Sequence, residues 1–332
     1  MATLGATYFD LIDLYKSQNP DGTIAEVLEI LKEMNPILED AIAVECNSGT
    51  KHVHTVRTGL PSVTWGRLYK GIPQGKSSKA QVEDTTGFVE GLSTIDTRLL
   101  EISKNEGAVR LSEAMSYLEA MNQEVSTKLF YGNTNDSPSE FMGLAPRFND
   151  LGAATGNQII DGGGTGADNT SIWFVTWSEN ACMLLYPEGT QAGVKRTDMG
   201  EQRLTDGNGD AYYGKEELFR WHVGLAVKDW RYIVRVANID VSLMEAGSVD
   251  VYALLRKAYW RMQSRRVAAG KQCIYANRDV LETLDALATN AGASDNFARL
   301  KPMEVEGQEV LTYRGMPLRE SDALLNTEAR VV

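Results

Sequence analysis

His52 and His54 are the first residues in this chain whose type and spacing could do chemistry. On a strand, a two-residue step puts both imidazoles on one face. That could begin a metal site, but the only other histidine is the distant His222, and no third ligand stands nearby. Asp206, Asn208 and Asp210, with Glu217 at the twelfth position, partly mimic a calcium-binding loop. The sixth position is Ala211 where that loop needs glycine, and strands rather than helices are expected on both sides, so the pattern reads as a hairpin turn. Gly162 to Gly166 invites a phosphate-cradle reading, but no Gly-Lys-Ser/Thr follows, and it reads as a flexible surface loop. Gly189 to Lys195 also has the wrong spacing. No Gly-x-Ser-x-Gly nucleophile signature occurs. Trp173, Trp177, Trp221, Trp230 and Trp260 could stack sugars or bases, but tryptophans at these positions read first as core. We therefore expect no catalytic, cofactor-binding or metal-binding residues, no cofactor, and no enzyme.

The scaffold is that of an ordinary globular protein. Its 332 residues suggest two lobes or one elaborated domain, and 43 % hydrophobic with 23 % charged residues is enough for a sizeable core. No apolar run approaches the ~20 residues needed to cross a bilayer. The start has no basic region followed by an apolar run, so no signal peptide is read. Cys46, Cys182 and Cys273 are odd in number and far apart, which argues against a disulfide framework and for a reducing compartment. The net charge of −12 makes the chain a poor nucleic-acid binder, though compatible with a container for one.

Charge is unevenly distributed. Between Cys46 and Val82 there is no Asp or Glu in 37 residues, where average composition predicts about five. Lys51, Arg57, Arg67, Lys70, Lys76 and Lys79 remain, so the segment is +6 and the rest of the chain −18. Strand-like pieces at His52–Thr58 and Val63–Tyr69, broken by Pro61, Gly71, Pro73 and Gly75, indicate a long basic β-hairpin or extended loop. It has few large apolar residues, and is either a solvated basic face or an arm docking on an acidic surface of an identical neighbour.

Elsewhere, Ile24, Ala25, Val27, Leu28, Leu31 and Met34 form an amphipathic helical stripe that Pro36 closes. A long helix is expected over Ser112–Tyr131, with Gly132 at its C-terminal cap. Asn149–Thr170 reads as loop. Strands are expected at Ser171–Thr176, Ala181–Tyr186, Trp221–Val227, Arg231–Ala237, Gln272–Ala276, Glu309–Tyr313 and Met316–Arg319. Further helices fall at Val249–Ala269, basic through Arg256, Lys257, Arg261, Arg265 and Arg266, and at Arg278–Ala288. The class is α+β.

The order of these features resembles the major capsid proteins of tailed bacteriophages, especially short-tailed ones, along nearly the whole chain. The resemblance is carried by Asn35-Pro36-Ile37-Leu38-Glu39 and by Gly59-Leu60-Pro61-Ser62-Val63-Thr64-Trp65. It continues through Lys128-Leu129-Phe130-Tyr131-Gly132-Asn133 and Phe141-Met142-Gly143-Leu144. Further on, Trp230 to Ile239, Gly315-Met316-Pro317-Leu318-Arg319 through Asp322, and Glu328-Ala329 complete it.

The resemblance implies the Hong Kong 97-type capsid fold. An N-terminal arm would occupy 1–45 and an extended loop 46–95. A peripheral domain with a long spine helix and sheet would take 96–170 and 303–332, and an axial domain 171–302. The six basic residues then fall in the loop that overlaps an adjacent subunit. Copies would assemble into pentamers and hexamers of an icosahedral shell around double-stranded DNA, without sequence-specific binding or membrane contact. With no scaffolding segment seen ahead of the arm, a separate scaffolding protein is expected, with a portal and possibly a decoration protein. The shell would assemble in the bacterial host cytoplasm. Alternatives are an encapsulin-like nanocompartment with the same fold, and an unrelated hydrolase or sugar-binding protein.

Overall fold

The computed structural model describes residue 33 and residues 35–103, 105–206, 208–263, 270–289, 300–305 and 308–332. The amphipathic stripe over 24–34 lies outside them apart from Glu33. Pro36, read as a helix stop, is instead the N-cap of a one-turn helix, α1 (Ile37–Asp40). Then come strands β1 (Ala43–Glu45), β2 (Lys51–Gly59) and β3 (Ser78–Asp96). Helices α2 (Thr97–Ile102) and α3 (Glu106–Tyr131) follow. Next are β4 (Ile159–Asp161), β5 (Asn169–Trp177), β6 (Cys182–Tyr186), β7 (Val194–Thr205), β8 (Ala211–Val227) and β9 (Ile233–Asp240). After α4 (Val241–Glu245) and α5 (Val251–Arg261), β10 (Lys271–Ala276) leads to α6 (Arg278–Thr289). The chain closes with β11 (Lys301–Val305), β12 (Gln308–Tyr313) and β13 (Met316–Glu320).

Hydrogen-bonded neighbours run β11-β12-β13-β10-β5-β6-β8-β3-β2, with β1 on β6, β7 on β8, β9 on β5 and β4 on β9. The centre is β5, buried along its whole length, as its continuous run Ser171 to Trp177 demands. Its side chains alternate between two cores. Trp173, Val175 and Trp177 face one that contains Val125, Leu129 and Phe130 of α3. Ile172 and Phe174 face the other, with Val251, Leu255 and Ala258 of α5 and Val280 and Leu284 of α6. The long helix thus lies on one face of the central sheet and α5 and α6 on the other.

Several expectations are corrected. Helix α3 begins at Glu106, not Ser112, because Asn105 caps it by accepting from the Ala108 amide. Gly132 ends it with φ −53, not in the left-handed conformation. Glycine is needed there for space, since a Cβ would lie 2.6 Å from the carbonyl oxygens of both Lys128 and Phe141. The Asn149–Thr170 stretch contains two short 3-10 turns' worth of structure less than it contains sheet contacts: Ala154–Gln158 is a 3-10 helix that leads into β4. The glycine loop is not a free surface loop. Gly162 and Gly164 donate to the carbonyls of Ala237 and Asn238, and a Cβ on Gly164 would meet Asn169 Oδ1 at 2.4 Å. Helix α5 stops at Arg261, with Met262 already extended.

Both flanks of the sheet are fixed by buried carboxylates. Asp40 accepts from Lys271 Nζ at 2.7 Å, Tyr275 Oη at 2.9 Å and Arg319 at 3.0 Å. Glu328 accepts from Arg235 at 2.8 Å, Tyr131 Oη at 2.5 Å, and Ser171 Oγ. The Arg235 guanidinium also lies over the Trp173 ring, 5.0 Å from its centroid. The C-terminal tail is zipped down by Asn238, whose amide bonds the backbone of Val331 in both directions at 2.8 Å. All three cysteines are buried and unpaired.

Candidate assembly surface

Strands β2 and β3 form an antiparallel hairpin in the register Lys51↔Thr85 to Arg57↔Lys79. The second half of β3 leaves β2 and pairs with β8 from Thr86↔Gly224 to Asp96↔Gly214. One strand thereby roots the hairpin in the main sheet and carries its outer half away from it. The expected strand at Val63–Tyr69 is absent: residues 60–77 contain only a turn at Leu68–Tyr69, where Tyr69 adopts φ 62. With Pro61 and Pro73 lacking backbone donors, this stretch is a poor strand.

The base of the hairpin is firmly held. Asp84 is buried and accepts from Arg147 Nη2 at 2.8 Å. The same guanidinium donates to the carbonyls of Met142, Gly143 and Leu225 at 3.1–3.2 Å, binding the hairpin to β8 and to the loop after α3. Asn47 bonds the Val53 amide and carbonyl at 2.8 and 2.7 Å, covering part of the open edge of β2. His52 and His54 share a face, as their spacing predicts, with ring centroids 6.3 Å apart. His54 Nδ1 lies 3.9 Å from Asp84 Oδ2. Burial lowers the pKa of both imidazoles; Lys228 adds to the effect on each and Asp84 opposes it. Among the described residues, no group of three or more His, Cys, Asp or Glu could hold a metal ion.

The six predicted contact residues divide into three sets. Lys51, at the base, is already used in the chain: its Nζ lies 2.7 Å from Glu83. Arg57 and Lys79 are directly opposed across the ladder. Like charges in that position destabilise an isolated hairpin. Arg67, Lys70 and Lys76 stand on the exposed tip. Apart from Lys51, none of the six makes an ion pair among the described residues.

The expectation of few large apolar residues is wrong for the tip. Leu60, Val63, Trp65, Leu68, Tyr69 and Ile72 are each at least 80 % exposed. An exposed apolar cluster rimmed by cations marks an interaction surface. The signal was present in the sequence, since these six residues fall within thirteen positions, but without helical or strand periodicity they read as loop filling.

The other candidates resolve into structure. Asp206 Oδ1 accepts from the Asn208 and Asp210 amides at 2.9 Å, making the turn between β7 and β8. Glu217, the would-be twelfth calcium ligand, is buried and held by Arg196 at 2.7 Å and by Arg110 of α3. Trp173 and Trp177 are core, while Trp221 and Trp230 pack against it. Trp260 is 58 % exposed, against the expectation of core, and its ring lies 5.9 Å from the Arg314 guanidinium.

A long helix laid across a sheet, a rooted hairpin with an uncovered tip, and a second lobe of sheet and helices define a shell-building protein of the Hong Kong 97-type capsid fold. Residues 19–332 match the family model for major capsid protein GP7, and the chain belongs to that family. A chain in the near-atomic structure of bacteriophage epsilon15 is 35 % identical, with a TM-score of 0.80, over 100 % of this chain and 99 % of that one. Looser likenesses are the capsid of the native GTA particle (10 % identical, TM-score 0.46, covering 65 % of this chain and 92 % of that one) and the SrpI encapsulin complex from Synechococcus elongatus PCC 7942 (10 %, 0.45, 70 % and 95 %). No curated protein matches the chain. This is therefore a phage major capsid protein, a structural protein of the virion shell and not an enzyme. No described helix is long and apolar enough to cross a membrane.

Proposed function

We propose that the extended hairpin joins neighbouring copies in the shell, with Arg57, Arg67, Lys70, Lys76 and Lys79 meeting carboxylates of the adjacent subunit. The observation that carries this reading is the opposed pair Arg57↔Lys79 beside an uncovered apolar tip. A neighbour supplying both carboxylates and apolar surface would relieve both costs at once. Lys51 belongs to the base, where Glu83 already occupies it, so its part in docking is secondary.

In this reading 1–45 is an arm, 46–95 the loop, 96–170 with 303–332 a peripheral domain, and 171–302 an axial domain. Pentamers and hexamers tile an icosahedral shell around double-stranded DNA, with a separate scaffolding protein, a portal and possibly a decoration protein as partners. Assembly takes place in the host cytoplasm. The test is the double charge reversal Lys76→Glu with Lys79→Glu, followed by light scattering and negative-stain microscopy with the candidate scaffolding protein present. The variant should fold as the parent does but give fewer closed particles. Normal particles at raised salt would remove these two lysines from the interface.

A further inference from the structure

The long helix α3 buries Val109, Ala114, Met121, Val125 and Leu129. It also carries apolar residues on the opposite side, where a one-sided surface helix would be polar. Leu111, Met115 and Leu118 are 56 %, 53 % and 37 % exposed, and they recur at steps of four and three, a single stripe. Scattered exposed leucines need no explanation, but a stripe in register along two turns does.

The path of the chain points to what covers it. Glu33 donates its backbone N–H to Glu119 Oε1 at 3.1 Å, one residue beyond Leu118 on the helix. Asn35 then accepts from Ser321 Oγ and the Ala323 amide, both at 3.2 Å. Ile37 enters the same core as Val125 and Leu129, farther along α3. From residue 33 to residue 37 the chain therefore advances in the same direction as the helix. Continued backwards, residues 24–31 come alongside 111–118. In the sequence, Ile24, Leu28 and Leu31 recur at steps of four and three, the same spacing as Leu111, Met115 and Leu118. Two helices of this length each advance about 10 Å between first and last apolar residue, so the stripes match in extent as well as in period.

We propose that residues 24–31, which lie outside the described residues, form a helix that packs parallel to α3 of the same chain, with Ile24, Leu28 and Leu31 on Leu111, Met115 and Leu118. The segment is then a strap on the long helix of its own subunit and not an arm reaching for another. The inference stands apart from the docking of the hairpin, which uses other residues.

Hydrogen exchange on the dissociated full-length subunit tests it. Amides of residues 26–31 exchange at least about tenfold more slowly than in an unstructured peptide. The double variant Met115→Glu with Leu118→Glu removes that protection, while amides 125–131 of α3 keep theirs, showing that the helix itself is intact. Leu28→Glu abolishes protection of 26–31 in the same way. Protection that is insensitive to Met115 and Leu118 overturns the proposal. So does a segment that is unprotected in the free subunit and protected only in assembled shells, because the stripe is then covered by another copy or by a partner.

Discussion

Arg235 and Lys79 are both cations on strands of one continuous sheet, and their surroundings are opposite. Arg235 is buried on β9, with a carboxylate at 2.8 Å, a carbonyl of Phe148 at 2.7 Å, the Ser171 hydroxyl at 3.1 Å and an indole face beneath it. Lys79, on the outer hairpin, has another cation across the ladder and no carboxylate among the described residues. The same contrast holds for apolar groups: Trp173 is fully buried, and Trp65 is 96 % exposed. One region is complete within a single chain. The other is built from residues whose partners must come from outside it, and that is the form expected of a subunit whose final environment is a shell.

The strongest way to break the contrast is in the complete region. Arg235→Met leaves Glu328 buried without its cation, and loss of one partner of such a pair costs about 3–5 kcal/mol. Thermal unfolding of the subunit should show a fall of several degrees or more, and Glu328→Gln a smaller one, because the amide can still accept from Arg235. An unchanged melting temperature in Arg235→Met would mean that water reaches the site, and the distinction between the two regions would fail there.

The second effect belongs to the tip and should appear only on assembly. Trp65→Ala removes the largest exposed ring, and a tryptophan buried at an interface contributes about 2 kcal/mol or more. Subunit stability should be unchanged while the concentration needed for shell formation rises more than tenfold. A fall in subunit stability instead would show that the ring packs within its own chain.

A third test concerns the junction of the two regions. His52 and His54 have folded pKa values below the ordinary 6.5, with burial the first cause. The unfolded chain thus takes up protons before the folded one does. Stability is full above pH 6.5 and declines as pH falls below it, towards the folded pKa values. Exchange of the Asp84 and Val53 amides should speed up between pH 7 and 5.5 after correction for intrinsic rates. His54→Phe should flatten that dependence. The carboxylates of Asp96 and Asp198 contribute only lower down: arginine hydrogen bonds depress both, so their stabilisation is lost in the acid range below the usual carboxylate values.

How legible all this was in the sequence depended on whether a residue's environment lay within its own chain. The run Ser171 to Trp177 announced a strand, and the step from Ala114 to Leu129 a helix, because burial imposes its period on them. Strand β7 went unseen, since Val194 to Thr205 is solvated along nearly its whole length and is held by its ladder to β8 rather than by an apolar face. The outer part of β8 was missed for the same reason. The hairpin was found by charge, not by pattern: the absence of any carboxylate from 46 to 82 is independent of fold. Its apolar tip was passed over because unpaired loop residues have no period to betray them, and the Arg235–Glu328 lock because its members are 93 residues apart.

The smallest effect is the most discriminating, because it changes sign between the two states. Lys79→Gln removes one of two cations facing each other across the ladder, and relief of such a like-charge pair is worth a few tenths of a kcal/mol, about 0.2–1. The isolated subunit should gain slightly in stability, seen as slower exchange at the Arg57 and Gln81 amides. Shell formation should become weaker and less sensitive to salt, because one charge that met the neighbour is gone. A residue selected for its own hairpin would lose in both measurements, and one on a merely solvated face would lose in neither. Gain in the subunit with loss in the shell is the signature of a charge kept, at a local cost, for a partner.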